Sequence, residues 1–430
     1  MLAAALALAA SARAGVRAGV RAGTMSAPYP YWPKEFAFVY EGGWFHLFYI
    51  RINFLAPHPD STQNDFGHAI SQNLTDWFHL DPVLPVRAGE WDDVHVWAPS
   101  IIRQDGVYYM FYTGVTLPEG HSNWYQRIGV ATSTDLLEWQ RYDEQVFDAN
   151  HVPWALADSS RFEGCQFRDP CVIEDPEDSG RWLMYYATTP RAAPSQLIVG
   201  VGTNQTGLSP WQDLMPLWNT DAAHFLGFIE SPSVFEHDGR WYLFFTTNSG
   251  HPIRFQHAAS PTADSTGWVG NYRLFDSAPD TDAWFAPEYL RVGEHEYFAA
   301  VNSFDHTIEI REMQWRGVAS FSLTAPSVVG VSDAEWKVEG PGLVALAGGM
   351  RGGTARFGVT LPRPMEAEVA VHDVLGRRVR MLHSGALPGG ETVVSWDLED
   401  GGGRDVGAGV YLVMLRTAAG TRSVRAPVLR

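Results

Sequence analysis

Two cysteines in 430 residues, Cys165 and Cys171, exclude a disulfide framework as the source of stability. Six residues of extended chain span ~20 Å, beyond disulfide reach, so a bond would need a tight loop and two buried thiols are expected. Lysine is almost missing: Lys34 and Lys337 are the only two, and arginine supplies the other positive charges. Positive charge is itself short, with 31 Lys and Arg against 49 Asp and Glu and a net charge of −18. From Lys337 onward there are 12 basic and 9 acidic residues, which leaves −21 on the preceding part. That balance argues against nucleic acid or an anionic membrane as a partner, because phosphate binding relies on Lys and Arg. It is compatible with a neutral ligand. No apolar run beyond the N-terminus is long enough to span a bilayer. No His-x-x-x-His or clustered Cys spacing suggests zinc, and His95 and His68 alone do not define a metal site, so no cofactor is expected.

The N-terminus has a short apolar run, Leu2 to Ala10, followed by Ser11-Ala12-Arg13-Ala14 with a small-x-small ending. This resembles a secretory signal peptide, although no basic residue precedes the apolar run. Residues 1–24 read as leader, with the Arg-Ala-Gly-Val repeat unstructured, and a secreted or cell-surface bacterial location is expected. The alternative is translation from Met25.

What is abundant is aromatic: 13% Phe, Trp and Tyr, including 17 Trp. Much of it falls in one phrase that occurs five times, an apolar run, a Gly turn, then aromatics. The copies centre on Gly43-Trp44-Phe45, Gly106-Val107-Tyr108, Gly180-Arg181-Trp182, Gly239-Arg240-Trp241 and Gly293-Glu294-His295. Each reads as a β-hairpin, and the first four are followed by further strand-like stretches, such as Gly67–Ser71 and Ile128–Thr132. Four strands per unit at a period of roughly 55 to 75 residues predicts blades around a channel. A sandwich would space its strands more closely and a solenoid has a shorter period. The expected fold is all-β: a five-bladed β-propeller over residues 30–325.

Residues 340–430 differ in kind. Short alternating strands separated by Gly-rich turns predict a small β-sandwich. Val369–Val379, with Asp373-Val374-Leu375-Gly376-Arg377, and Gly409-Val410-Tyr411 resemble the immunoglobulin-like module of flagellar hook-capping proteins and type IX secretion sorting domains. The resemblance implies an accessory role in export or attachment, with secretion machinery as a partner, and leaves chemistry to the propeller.

Propeller chemistry is expected where the innermost strands begin and several blades converge. Those starts are Trp32-Pro33-Lys34-Glu35-Phe36, Val96-Trp97-Ala98-Pro99-Ser100, Phe167-Arg168-Asp169-Pro170-Cys171, Ile229-Glu230-Ser231-Pro232-Ser233 and Phe285-Ala286-Pro287-Glu288. In four of them Pro sits where its missing N–H does least harm. Carboxylates precede that Pro in two, Asp169 and Glu230. Two acids from separate blades facing one pocket suit glycosidic cleavage, one protonating the leaving oxygen and the other acting as nucleophile or base. The plainer reading is that each acid caps a strand end or pairs with an Arg.

Phe167-Arg168-Asp169-Pro170 resembles the Arg-Asp-Pro motif of glycoside hydrolase family 32, and Glu230-Ser231-Pro232 its Glu-Cys-Pro motif. Gly67–Trp77 is similar to the segment after that family's first hairpin, whereas Trp97-Ala98-Pro99 is similar to family 43. The resemblance implies that Asp169 stabilises the transition state or tunes the acid, that Arg168 binds sugar hydroxyls and that Glu230 is the general acid/base. Both families also place a catalytic Asp in blade one, where this chain has Lys34-Glu35. Glu35 is the first candidate for that role; Asp65, Asp92, Asp93 and His95 are the others. Trp32, Asp93, His95 and Trp97 join Arg168 as candidate substrate contacts. The expected activity is an exported glycosidase acting on a furanoside-type or related saccharide. A carbohydrate-binding propeller without the blade-one acid, and a protein-interaction platform, are the alternatives.

Overall fold

The computed structural model describes residues 23–75, 77–119, 124–158, 166–205, 208, 211–217, 229–247, 253–264, 266–273, 284–326, 342–345, 350–351, 354–361, 363–373, 377–407, 409–418 and 420–429. The leader through residue 22, Cys165 and Val374-Leu375-Gly376 of the C-terminal motif lie outside them. The chain divides into two compact units, one comprising Met1–Trp77 and Pro82–Val328, the other Phe78–Asp81 and Val329–Arg430. Helix among the described residues amounts to two short 3-10 turns, Pro59–Thr62 and Ala149–His151.

The first unit is built from antiparallel sheets, each begun by one of the hairpins recognisable in the sequence. Sheet one holds Tyr31–Glu41, Trp44–Asn53, Phe66–Ser71 and Phe78–Val83 in that order. Sheet two holds His95–Gln104, Val107–Thr116, Tyr125–Ser133 and Gln140–Arg141; sheet three, Phe167–Glu174, Trp182–Thr188, Ile198–Asn204 and Gln212–Pro216. Sheet four holds Ile229–His237, Arg240–Thr247, Ile253–Ala258 and Val269–Arg273. In sheet five Trp284–Val292, His295–Asn302 and Thr307–Gly317 are joined by Ser320–Thr324 and by Thr24–Met25 from the other end of the unit. Thr24 pairs with Glu309 and Met25 with Ile308. That strand lies within and just after the stretch read as leader, and its two residues are too few to leave a periodic pattern.

Each first strand lies against the first strand of the next sheet, and the fifth lies against the first, so the five form a closed ring. Buried side chains fill the space between successive sheets. Phe48, Ile50, Trp97 and Tyr112 pack together between sheets one and two, and Phe111, Phe167, Trp182 and Trp211 between two and three. Leu183, Tyr185, Val234 and Leu243 follow, then Phe235, Phe244, Trp284 and Phe298. A strand with a core on both faces needs apolar side chains at odd and even positions alike. That requirement explains why runs such as Leu47-Phe48-Tyr49-Ile50 and Leu183-Met184-Tyr185-Tyr186 are apolar at successive positions rather than alternating. The packing is tight enough to dictate glycine: a Cβ at Gly114 or Gly129 would stand 2.1 or 2.3 Å from the indole of Trp91.

In the second unit Gly342–Ala345, Ala355–Leu361 and Gly390–Trp396 form one sheet, and Met350–Arg351, Gly420–Leu429, Gly409–Thr417, Met365–Asp373 and Arg378–Leu387 another. Phe357 and Trp396 of the first and Val369, Val371, Val413 and Val428 of the second share one core.

Candidate functional site

Every inner strand carries a β-bulge close to its start. Pro33 pairs with Arg51 and Phe36 with Tyr49, so Lys34 and Glu35 together oppose one partner residue. The same interruption falls between Trp97 and Ser100, Arg168 and Cys171, Glu230 and Ser233, and Phe285 and Glu288. Proline occupies the second bulged position in four sheets, Pro99, Pro170, Pro232 and Pro287, where the ladder asks for no N–H. The first bulged residue in those sheets, Ala98, Asp169, Ser231 or Ala286, has φ of 44°, 58°, 52° or 51°. Left-handed backbone at a residue other than glycine costs about 1–3 kcal/mol and collects at functional sites, where packing over-determines it.

This register fixes how the acids correspond from sheet to sheet. Glu230 stands just before its bulge, opposite Thr246, and corresponds to Arg168; Asp169 corresponds to Ser231. Glu35 occupies the place of the prolines. Three acids from three sheets thus hold three different positions of one recurring bulge, each aimed by a different part of the kink.

Arg168 joins them. Its Nη2 donates to Glu230 Oε2 at 3.0 Å, and its Nε lies 3.6 Å from Asp169 Oδ2. Nη1 donates to Gln126 Oε1 at 3.3 Å and also to Gln166 Oε1. Asp169 Oδ2 accepts from Ser231 N at 3.0 Å, and Asp169 N donates to Thr113 Oγ1 at 3.1 Å. Burial raises the pKa of Asp169, the neighbouring Glu35 charge raises it further, Arg168 opposes both, and Glu230 adds a smaller push upward. Glu35 is raised by burial too; Lys34 opposes that most strongly, and Glu230 adds to it. Glu230 is the most accessible, with 19% of its side chain exposed against 10% for Glu35 and 2% for Asp169.

Lys34 Nζ lies 3.9 Å from Glu35 Oε2 and 5.6 Å from the centroid of Trp97. Trp97 stacks on His95 at 5.3 Å and meets Trp124 edge-on at 5.4 Å. His95 is pushed down to about 4, chiefly by burial, with Lys34 acting the same way. Asp169 Oδ1, Trp97 Nε1 and His95 Nδ1 are buried without a hydrogen-bond partner among the described residues. Buried polar atoms are normally satisfied, so such a group of atoms suits a polyhydroxylated ligand.

The other candidates separate from this cluster. Asp65 accepts from Arg51 Nε at 2.6 Å and also from Arg51 Nη2, an ion pair within sheet one. Asp92 is fully buried and accepts from Arg87 Nε at 3.0 Å and Tyr112 Oη at 2.9 Å, with Arg141 at 3.6 Å. Burial closes Asp92 to a substrate, whereas the Asp65 side chain is as exposed as that of Glu230 but is held by Arg51. Asp93 is half-buried in the loop before sheet two, and among the described residues no contact joins it to the acids. Trp32 stacks on Phe54 at 4.9 Å and His306 at 3.6 Å, so both faces of its indole are covered. Sequence reasoning missed Gln126, Gln166, Thr113 and Ser231. The first three sit outside the recurrent positions, and nothing local marks them.

Residues 36–235 match the N-terminal domain of glycosyl hydrolases family 32. The chain is 40% identical over 114 residues to a 6(G)-fructosyltransferase of Asparagus officinalis, covering 25% of this chain and 17% of that protein. It is 32% identical over 123 residues to a 1,2-beta-oligomannan phosphorylase of a Thermoanaerobacter species, covering 27% of this chain and 40% of that one. The chain therefore spans less than half the length of these curated relatives. Among solved structures, the Bombyx mori GH32 beta-fructofuranosidase superposes with a TM-score of 0.54 at 17% identity, covering 95% of this chain and 88% of that one. A GH43 enzyme from Xanthomonas citri complexed with xylose gives 0.51 at 15%, covering 71% and 95%. At these identities the likeness to the solved structures shows a shared fold.

Proposed function

We propose that this chain is a glycosidase that cleaves O-glycosidic bonds in a furanoside-type oligo- or polysaccharide by paired-carboxylate chemistry. The observation that carries the reading is the convergence of Glu230, Asp169 and Glu35 from three sheets on one arginine and on one another's fields. Glu230, the most accessible of the three, protonates the leaving oxygen as the C–O bond breaks. Glu35 supplies the opposing carboxylate, as nucleophile or as base toward water, while positive charge develops on the sugar ring. Asp169 offers its unpartnered Oδ1 to a ring hydroxyl, and Arg168 fixes the geometry of both neighbours. The names of the relatives point first to fructosyl substrates.

On the same reading, the five sheets are five blades of one propeller over residues 30–325, extended by Thr24–Met25. Residues 340–430 are an immunoglobulin-like accessory module, and the leader directs export to the cell surface or medium, where the module meets secretion machinery. The test is release of reducing sugar from sucrose, fructans, arabinans and aryl glycosides, with and without inorganic phosphate. Activity lost in both Asp169→Asn and Glu230→Gln supports the proposal. Lys34-Glu35 in place of the family's aspartate favours a second reading, a propeller that binds sugar without cleaving it, and binding without turnover across the panel would establish that instead.

A further inference from the structure

The three most exposed large apolar side chains among the described residues are Tyr29, Phe304 and Leu55, at 77%, 73% and 59%. Single exposed apolar residues are ordinary, but these three converge on one rim. Tyr29 meets Phe54 edge-on at 5.5 Å, Phe54 stacks on Trp32, Trp32 stacks on His306, and Phe304 precedes His306 by two residues. Leu55 follows Phe54 directly.

The topology puts this rim beside the catalytic cluster. Tyr31 pairs with Asn53 at the start of the inner strand of sheet one, and Trp284 with Asn302 at the start of that of sheet five. The turns after Asn53 and Asn302 therefore lie at the same end of their sheets as the bulges at Lys34-Glu35 and Ala286-Pro287. Trp32 is separated from the first bulge by Pro33 alone.

Both turns are held the same way. Asn53 Oδ1 accepts from Leu55 N at 3.0 Å, and Asn302 Oδ1 accepts from Phe304 N at 3.0 Å and Asp305 N at 3.2 Å. Such side-chain turns fix the local backbone, so Leu55 and Phe304 are presented to solvent by construction. Arg51 is paired with Asp65, and Asp305 Oδ2 accepts from the neutral Asn302 Nδ2 at 3.4 Å, so the Asp305 carboxylate keeps its charge. An apolar, aromatic patch at the same end of the sheets as the acids calls for a ligand, and neutral sugar rings meet that description, with C–H faces for the aromatics and hydroxyls for the nearby Asp305 carboxylate.

We propose that Tyr29, Phe304 and Leu55 form a distal subsite for further units of a neutral saccharide chain whose reacting end occupies the Glu35–Asp169–Glu230 cluster. The inference rests on the carbohydrate reading above and adds that the ligand is a chain rather than a small sugar.

The test is calorimetric titration of the full chain with fructan and arabinan oligosaccharides from disaccharide to octasaccharide, for wild type and for Tyr29→Ala/Phe304→Ala. Both side chains are exposed, so the fold tolerates their removal, and neither belongs to the catalytic cluster. Wild-type affinity should rise with chain length, and the double variant should lose about three- to tenfold of it for the longer chains. Affinity for the disaccharide should be unchanged in the double variant. The same length dependence in both proteins overturns the subsite and leaves the carbohydrate reading standing. Failure of the wild type to bind any of these saccharides overturns both.

Discussion

Arg168→Met tests the electrostatics of the site most directly. The guanidinium lies 3.0 Å from Glu230 and 3.6 Å from Asp169, and its side chain is only 13% exposed. At an effective dielectric constant of about 20, unit charges at those separations attract by about 5.5 and 4.6 kcal/mol. Desolvation offsets much of this, and removing one partner of a buried pair costs about 3–5 kcal/mol because the remaining charge is uncompensated. Methionine keeps most of the aliphatic volume, so the loss is electrostatic rather than a cavity. Its pH dependence has a definite sign. Asp169 and Glu35 already have raised pKa values in the fold, and without Arg168 they rise further. A carboxyl whose folded pKa exceeds its unfolded value penalises the fold above the unfolded value and not below it. The destabilisation should therefore be about 3–5 kcal/mol near pH 7 and shrink toward zero near pH 4. Denaturant titration of both proteins at pH 7, 5.5 and 4 reads the difference directly, and contributions common to both cancel. A difference below about 1 kcal/mol, or one that does not change with pH, would refute the argument.

Gly129→Ala should lower stability by about 1–3 kcal/mol through overpacking against Trp91, and Trp91→Phe in the same background should recover part of it, as measured by thermal unfolding. Asp92→Asn should cost about 3–5 kcal/mol while leaving turnover per folded molecule intact; loss of turnover in a folded Asp92→Asn protein would return that residue to the active site. His46 and His68 are buried and hydrogen-bonded to each other at 2.9 Å, and burial lowers both, His46 to about 3. A lowered histidine pKa favours the unfolded chain once pH drops below about 6.5, by ~1.4 kcal/mol per pH unit for each histidine. His46→Phe/His68→Phe should therefore flatten the fall in urea midpoint between pH 6.5 and 4; an unchanged slope would show that the pair does not control acid stability.

Much of this site was visible in the linear chain. The five Gly-turn-aromatic phrases are hairpins, and the short segments before them hold Asp169, Glu230, Arg168 and Glu35 because every inner strand repeats one backbone device. The exact alignment was visible in part. Counting back from proline puts Asp169 one residue and Glu230 two residues before it, the same offset as in the bulge register, but nothing in the chain marked Glu35 as holding the prolines' own place. Asp92 shows the opposite failure: an acid beside the right strand reads as a catalytic candidate until it is found fully buried and held by Arg87 and Tyr112. Trp32 looked free to stack on a sugar until Phe54 and His306 were found on its two faces.

The sequence by itself determined the all-β strand organisation and the presence of acids near strand starts, since strand periodicity, turn glycines and local motifs are properties that survive in one dimension. Tertiary structure decided which acids meet, because Glu35, Asp169 and Glu230 are brought together by ring closure and aimed by bulges, and their protonation depends on burial and on Arg168. It likewise decided that Tyr29, Leu55 and Phe304, 275 residues apart at their widest, share one rim, for only closure of the first sheet against the fifth brings them side by side.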